Sequence, residues 1–220
     1  MAHTKKENIL ILVELENYSF EVIKRGVDLA NLMNGSSYIT FFASKADEFN
    51  INLYLALSEL EKAANLYKVE GFCVEYYHHE KGVIEKIKKQ IKEFSITQLL
   101  LARDIESRFD EIVYGSYSNL LLKKIPNTDL HFVSADTSES FDVNYETGIA
   151  GFLKKDIKGR NIVHFSSTEI GSTKGIFFKL GFTDFNNGLF IEFTDKDLVY
   201  YDVVDNIATK SSHQIENYLL

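Results

Sequence analysis

The sequence predicts an α/β fold with a five-stranded, parallel, doubly wound sheet, followed by a small antiparallel β-rich domain. Three observations predict it. Five short apolar runs in the first 135 residues alternate with stretches of helical period. Those stretches are long enough to be crossovers, which parallel pairing demands and which cover both faces of the sheet. Beyond SADTSES (134 to 140), helical period gives way to strand-like runs separated by Gly, Asn and Asp clusters.

Each element can be justified in order. ILILV (9 to 13) is a buried strand, and the helix after it places Val22, Ile23, Val27, Leu29, Ala30 and Met33 on one broad face. Ser19 is the expected N-cap and Gly35 the expected stop. SYITFFA (37 to 43) is the second strand. Asp47 is expected to open a long helix carrying Leu53, Ala56, Leu57, Leu60, Ala64 and Tyr67, and GFCVEYY (71 to 77) gives the third strand. Residues 82 to 94 form an amphipathic helix through Val83, Ile84, Ile87 and Ile91, and TQLLLA (97 to 102) follows as a strand.

In GSYSNLLLKKIPNTDLHFV (115 to 133), Gly115-Ser116 opens a helix through Leu120, Leu121 and Leu122. Lys123-Lys124 closes it, Pro126 stands just past its end, and LHFV is the fifth strand. Ligands of such sheets sit outside the carboxyl ends of the strands, where the strand order reverses. The Gly-Ser entrance therefore admits two readings: a helix cap, or a cap that also offers backbone N–H groups, two hydroxyls (Ser116 and Ser118) and a positive dipole end to an anion.

The C-terminal runs GIAGFLKK, NIVHFSS, GIFFKLGF, GLFIEF and LVYYDVV read as an antiparallel meander of four or five strands, with turns at KDIKG, FNNG and TDKD. Ile176, Phe178, Leu180 and Phe182 share one face of one strand; Leu189, Ile191 and Phe193 share one face of the next. That apolar face must be covered by the first domain, by its own ends or by a second copy. The expected boundaries are 1–136 for the α/β domain and 137–220 for the β-meander domain, an oligomerisation or interaction module.

Composition narrows the function. The net charge of −8 divides evenly, with about four excess acidic groups before residue 138 and about four after it. Without a basic stripe, such a chain is not expected to hold nucleic acid. Lys86, Lys88, Lys89 and Lys92 are interleaved with Glu85 and Glu93 as on a solvated helix face. No stretch reaches the roughly 18 apolar residues of a membrane span, and MAHTKKENIL has too short an apolar run for a secretory signal. The expected location is the cytoplasm, which also suits Cys73, a single cysteine in an apolar strand. No nucleophile has a base in local context, so no catalytic residue is expected. No metal site is expected either: adjacent His78 and His79 diverge on a strand, and Asp195, Asp197, Asp202 and Asp205 lack the glycine and terminal glutamate of a calcium loop.

A family resemblance rests on particular residues. They are Ser19, Lys24-Arg25-Gly26, Leu29-Ala30, Ile96-Thr97, Arg103, Ser107-Arg108-Phe109, Glu111, Gly115-Ser116, the Leu-Leu-Lys-Lys helix end and His131-Phe132-Val133. Over about residues 8 to 134 the chain resembles the universal stress protein domain, most closely the version in the cytoplasmic sensor region of the potassium-responsive histidine kinase KdpD. The C-terminal region is outside the resemblance, as are a kinase core and membrane spans.

The resemblance implies a sheet of order 3-2-1-4-5, signalling without catalysis, and a site for an adenine nucleotide: ATP, AMP or cyclic di-AMP. No cofactor is required, and the implied partners are a second copy of the chain, as a homodimer, or a signalling protein. The family's phosphate pattern has two glycines three apart, then nine residues, then Gly-Ser. Ala102 and Ile105 stand at the two glycine positions here. A side chain there crowds a phosphate that would otherwise meet bare backbone. Of the arginines usual in the KdpD version, Arg103 and Arg108 are present; Glu106, Asp110 and Tyr114 occupy other basic places. Glu14-Leu15-Glu16 replaces a serine-rich pattern, and Glu14 matches the acidic residue that faces the nucleoside in ordinary universal stress proteins. The resulting nucleotide-binding set is Val13, Glu14, Thr40, Ala102, Arg103, Arg108, Gly115, Ser116 and Ser118. The alternative is a protein-interaction scaffold that binds no nucleotide.

Overall fold

A computed structural model describes residues 6–15, 18–77, 80–102, 117–134, 144–166, 171–194 and 198–211. The chain forms two compact units, Met1–Lys45 with Glu59–Ser140 and Ala46–Ser58 with Phe141–Leu220.

The first unit contains β1 (Asn8–Glu14), α1 (Phe20–Leu32), β2 (Ser37–Ser44), β3 (Gly71–Tyr77), α3 (Glu80–Glu93), β4 (Ile96–Ala102), α4 (Tyr117–Lys124) and β5 (Asp129–Val133). It also takes the second half of α2 (Ile51–Leu66). All five strands are parallel, in the order β3-β2-β1-β4-β5, as the resemblance implies. Residues 9–13 of β1 are buried throughout, because helices cover both faces. On one face Leu10, Leu12, Phe42, Leu99 and Leu101 pack with Val83, Ile84 and Ile87 of α3 and with Leu121 and Ile125. On the other, α1 lies so close that a Cβ on Gly26 would meet Ile11 Cγ1 and Cδ1 at 2.5 Å.

Three helix ends differ from their sequence signals. The left-handed residue after α1 is Asn34 (φ 52°), with Gly35 N–H donating to Ala30 O at 2.8 Å. Gly35 is needed for another reason: a Cβ there would sit 1.7 Å from Glu7 O. Ser19 holds the N-cap position in extended conformation, yet its hydroxyl makes no capping bond. Asp47 does not open the long helix. It lies in a 3-10 turn (Lys45–Phe49), and α2 starts at Ile51 behind Asn50, whose Oδ1 accepts from Asn52 N–H at 3.0 Å.

The second unit holds β6 (Ile149–Lys155), β7 (Asn161–His164), β8 (Thr173–Lys179), β9 (Gly188–Phe193), β10 (Leu198–Val204) and β11 (Ile207–Lys210). All five expected strands form. The sixth, β11, follows a two-residue turn in which Asp205 (φ 49°) and Asn206 (φ 66°) are both left-handed, the geometry that lets strands reverse without splaying. β11 pairs with β7, and the meander closes into a barrel of order β10-β11-β7-β6-β8-β9. Closure removes both sheet edges.

The barrel interior is the face that alternation did not single out. Leu153, Val163, Phe177, Phe190, Tyr201, Val203 and Ala208 fill it. Six strands enclose less space than the eight that side chains just fill, so the interior is a packed core. Ile176, Phe178, Leu189 and Ile191 point outward and are nevertheless buried. The unit's own Ala46–Ser58 segment meets this face: Tyr54 packs against Phe178 with centroids 5.5 Å apart, its hydroxyl donates to Glu48 O at 2.8 Å, and Gly148 N–H donates to Phe49 O at 2.9 Å. The outward apolar face is thus covered from within the chain and does not require a second copy.

Two substitutions test this packing. Gly35→Ala should cost about 2–3 kcal/mol in chemical denaturation, since its Cβ collides with fixed backbone. Ser58→Ala should stabilise by about 1 kcal/mol, because the buried Ser58 Oγ has no hydrogen-bond partner and alanine is the better helix former.

Candidate functional site

The strand order reverses between β1 and β4, where β1 connects outward to β2 on one side and β4 to β5 on the other. One residue past the Leu12↔Leu101 pair come Val13 on β1 and Ala102, the last residue of β4. Both are buried at the carboxyl end of the sheet. Glu14 ends β1, half-buried, opposite Phe42 of β2. Its side chain shares the face of Leu12 and Phe42, the face that α3 and α4 cover.

Val13, Glu14 and Ala102 are therefore brought together at the switch point. Ser118 lies in the first turn of α4, whose described start is Tyr117. Arg103, Arg108, Gly115 and Ser116 lie outside the described residues, as do Ile105, His78, His79, Asp195 and Asp197.

Thr40 is a correction. It sits in the middle of β2, paired with Leu12 and Cys73, and is 1% exposed. Its hydroxyl donates to Gln90 Oε1 at 3.0 Å, Gln90 Nε2 donates to Cys73 Sγ at 3.0 Å, and Thr40 Oγ1 lies 3.3 Å from Cys73 Sγ. Each of the three side chains donates once and accepts once when the thiol donates to Thr40, a closed ring between β2, β3 and α3. The hydroxyl is spent inside the layer and does not reach the strand ends. Alternation explains the misplacement: Val13 and Phe41 face α1, so their neighbours Leu12 and Thr40 face α3.

Sequence reading missed this ring. A signal for it was present, since Gln90 interrupts the apolar stripe of α3 one turn after Ile87. Burial raises the Cys73 thiol above its ordinary value and Glu75 adds to the rise, while the hydrogen bonds with Thr40 and Gln90 oppose it. A neutral thiol is what the ring requires. Among the described residues no group of three or more His, Cys, Asp or Glu is placed to hold a metal ion, and no helix is long and apolar enough to cross a membrane.

No model of a known protein family matches the chain. A putative sensor protein KdpD from Synechocystis sp. is 25% identical over 135 residues, covering 58% of this chain and 34% of that protein. The likeness to KdpD read from the sequence is borne out. The chain spans about a third of that relative's length. Two solved structures are similar at low identity. A universal stress protein in complex with cAMP is 13% identical with a TM-score of 0.44, over 59% of this chain and 97% of its own. A universal stress protein from Archaeoglobus fulgidus is 16% identical with a TM-score of 0.40, over 58% of this chain and 98% of its own.

The raised thiol predicts a pH dependence. Its folded value lies above the unfolded one, so its contribution is complete below the ordinary thiol value of 9.0 and is lost as pH rises through the folded value. Urea midpoints should fall above pH 9 and fall less in Cys73→Val. Native Cys73 should react slowly with an aromatic disulfide reagent and rapidly once unfolded; equal rates would contradict the ring.

Proposed function

We propose that this protein is a non-catalytic, stress-related regulator of the cytoplasm whose α/β unit responds to an adenine nucleotide (ATP, AMP or cyclic di-AMP) at the β1/β4 switch point. The reversal of strand order there, with Val13, Glu14 and Ala102 at its floor, is the observation that carries the reading. In this reading Arg103, Arg108, Gly115 and Ser116, from the segment that joins β4 to α4, and Ser118 of α4 complete the site. The similarity to a sensor protein supports a signalling role.

The charge of Glu14 sets the ligand preference. A half-buried carboxylate repels a phosphate by about 1 kcal/mol or more at close range, while it accepts hydrogen bonds from ribose hydroxyls. The site therefore favours the nucleoside end of its ligand over the phosphates. One observation favours a second reading, a scaffold without nucleotide that docks a signalling partner or a second copy. Ala102 places a methyl group where the family pattern has bare backbone.

Denaturing purified protein and weighing the released small molecules separates the two. At 100 times its dissociation constant a ligand should add about 2.7 kcal/mol and raise the melting temperature by several degrees. Glu14→Gln should tighten ATP binding about fivefold or more and leave adenosine unimproved. No released nucleotide and no shift with any adenine compound would leave the scaffold as the function.

A further inference from the structure

One end of the β6–β11 barrel presents apolar side chains among acidic ones. The β8–β9 and β10–β11 turns share this end, because β8 and β10 both run antiparallel to β9. Asn186 Nδ2 donates to Asn206 Oδ1 at 2.8 Å, and Asp205 N–H donates to Asn187 Oδ1 at 2.9 Å, so the two turns form one platform. Phe182 (73% exposed), Phe185 (65%) and Val204 (61%) project from it. Three large apolar side chains on joined turns make a patch, unlike the scattered single residues that any surface carries. Further bonds hold it in shape: Phe185 N–H donates to Thr183 Oγ1 at 3.2 Å, and Gly181 N–H to Asn144 O at 2.9 Å. Little conformational freedom is left to lose on docking.

The charge of this end has one sign. Asp184 and Asp205 are exposed next to Phe185 and Val204, and neither carboxylate has an ion-pair partner among the described residues. Half-buried Asp202 of β10 adds a third acidic group. The lysine that strand direction brings here, Lys179 at the end of β8, is paired with Glu146 at 3.7 Å. Residues 135–143 and 167–170, outside the described residues, adjoin this end in sequence and contain no lysine or arginine. The segments leading into the platform therefore bring no cation to offset its carboxylates.

We propose that this platform docks a cationic segment of another protein, one in which arginine or lysine stands beside apolar side chains. The chemistry of the surface selects that occupant. Its acidic charge repels the phosphates of a nucleic acid and the headgroups of an anionic membrane. Two platforms face to face would oppose Asp184 and Asp205 of both copies, so a two-fold contact with a second copy is disfavoured. A basic, apolar segment answers both features at once. Its cations meet the carboxylates and the faces of Phe182 and Phe185, and its apolar side chains cover Val204. This surface is independent of the nucleotide crevice, and distinct from the outward face of β8 and β9, which the chain covers itself.

Fluorescence anisotropy with the full chain tests it, using a short labelled peptide in which arginine and leucine alternate and a glutamate–leucine peptide as control. The arginine peptide should bind and weaken severalfold between about 0.05 and 0.5 M salt, as screening shortens the reach of the charges. The glutamate peptide should not bind. Phe182→Ser with Phe185→Ser should weaken the arginine peptide about tenfold or more. Asp184→Asn with Asp205→Asn should weaken it about threefold or more. Asparagine tolerates the left-handed conformation of residue 205 (φ 49°), so the second variant keeps the turn; it decides alone if the first melts lower. An arginine peptide that fails to bind at low salt would overturn the proposal, as would binding that neither variant weakens or equal binding of the glutamate peptide. Sedimentation completes the test: self-association of the full chain that disappears in the Phe182/Phe185 variant would assign the platform to a second copy instead.

Discussion

A fully enclosed central strand governs the first unit. β1 hydrogen-bonds to a parallel neighbour on each side and is buried on both faces, so every backbone group of Ile9 to Val13 must be satisfied within the sheet. That demand fixes the crossovers, the covering helices and the place where the order reverses. The switch point beside Val13 and Ala102 is a consequence of this pairing.

Burial on two faces also organises the second unit. β8 and β9 read GIFF and GLFI, with apolar neighbours on consecutive positions, and both faces are used. Phe177 and Phe190 fill the barrel, while Phe178, Leu189 and Ile191 meet the side of the unit that Tyr54 joins. The Ala46–Ser58 segment thus belongs to the second unit although it precedes most of the first in sequence. At roughly 25 cal/mol per Å², leaving that outward face wet would be a large cost, and the chain avoids it with its own residues.

The fold was legible wherever one local rule sufficed. Continuous apolar runs such as ILILV and TQLLLA gave the parallel strands, and turn clusters gave five of the six barrel strands. Long-range effects were not legible. β11 is four residues long with one buried side chain, and only its pairing to β7 makes it a strand. Gly35 looked like a left-handed stop, whereas Asn34 takes that conformation and Gly35 makes room for Glu7. Val13, Glu14 and Ala102 stand at the ends of β1 and β4, the strands that the continuous apolar runs predicted. Thr40 was misplaced because strand order does not tell which face a mid-strand hydroxyl takes. Its true partners, Cys73 and Gln90, are 33 and 50 residues away.

The central claim is that the α/β unit keeps a crevice at the β1/β4 switch point whose charge favours a nucleoside over its phosphates. The most direct measurement is residue-resolved amide NMR of the full chain titrated with adenosine and with ATP. The account predicts shifts concentrated at Val13, Glu14, Ala102 and the start of α4, stronger for adenosine than for ATP at equal concentration. Shifts confined to the barrel, or ATP binding far more tightly than adenosine through the same residues, would contradict it.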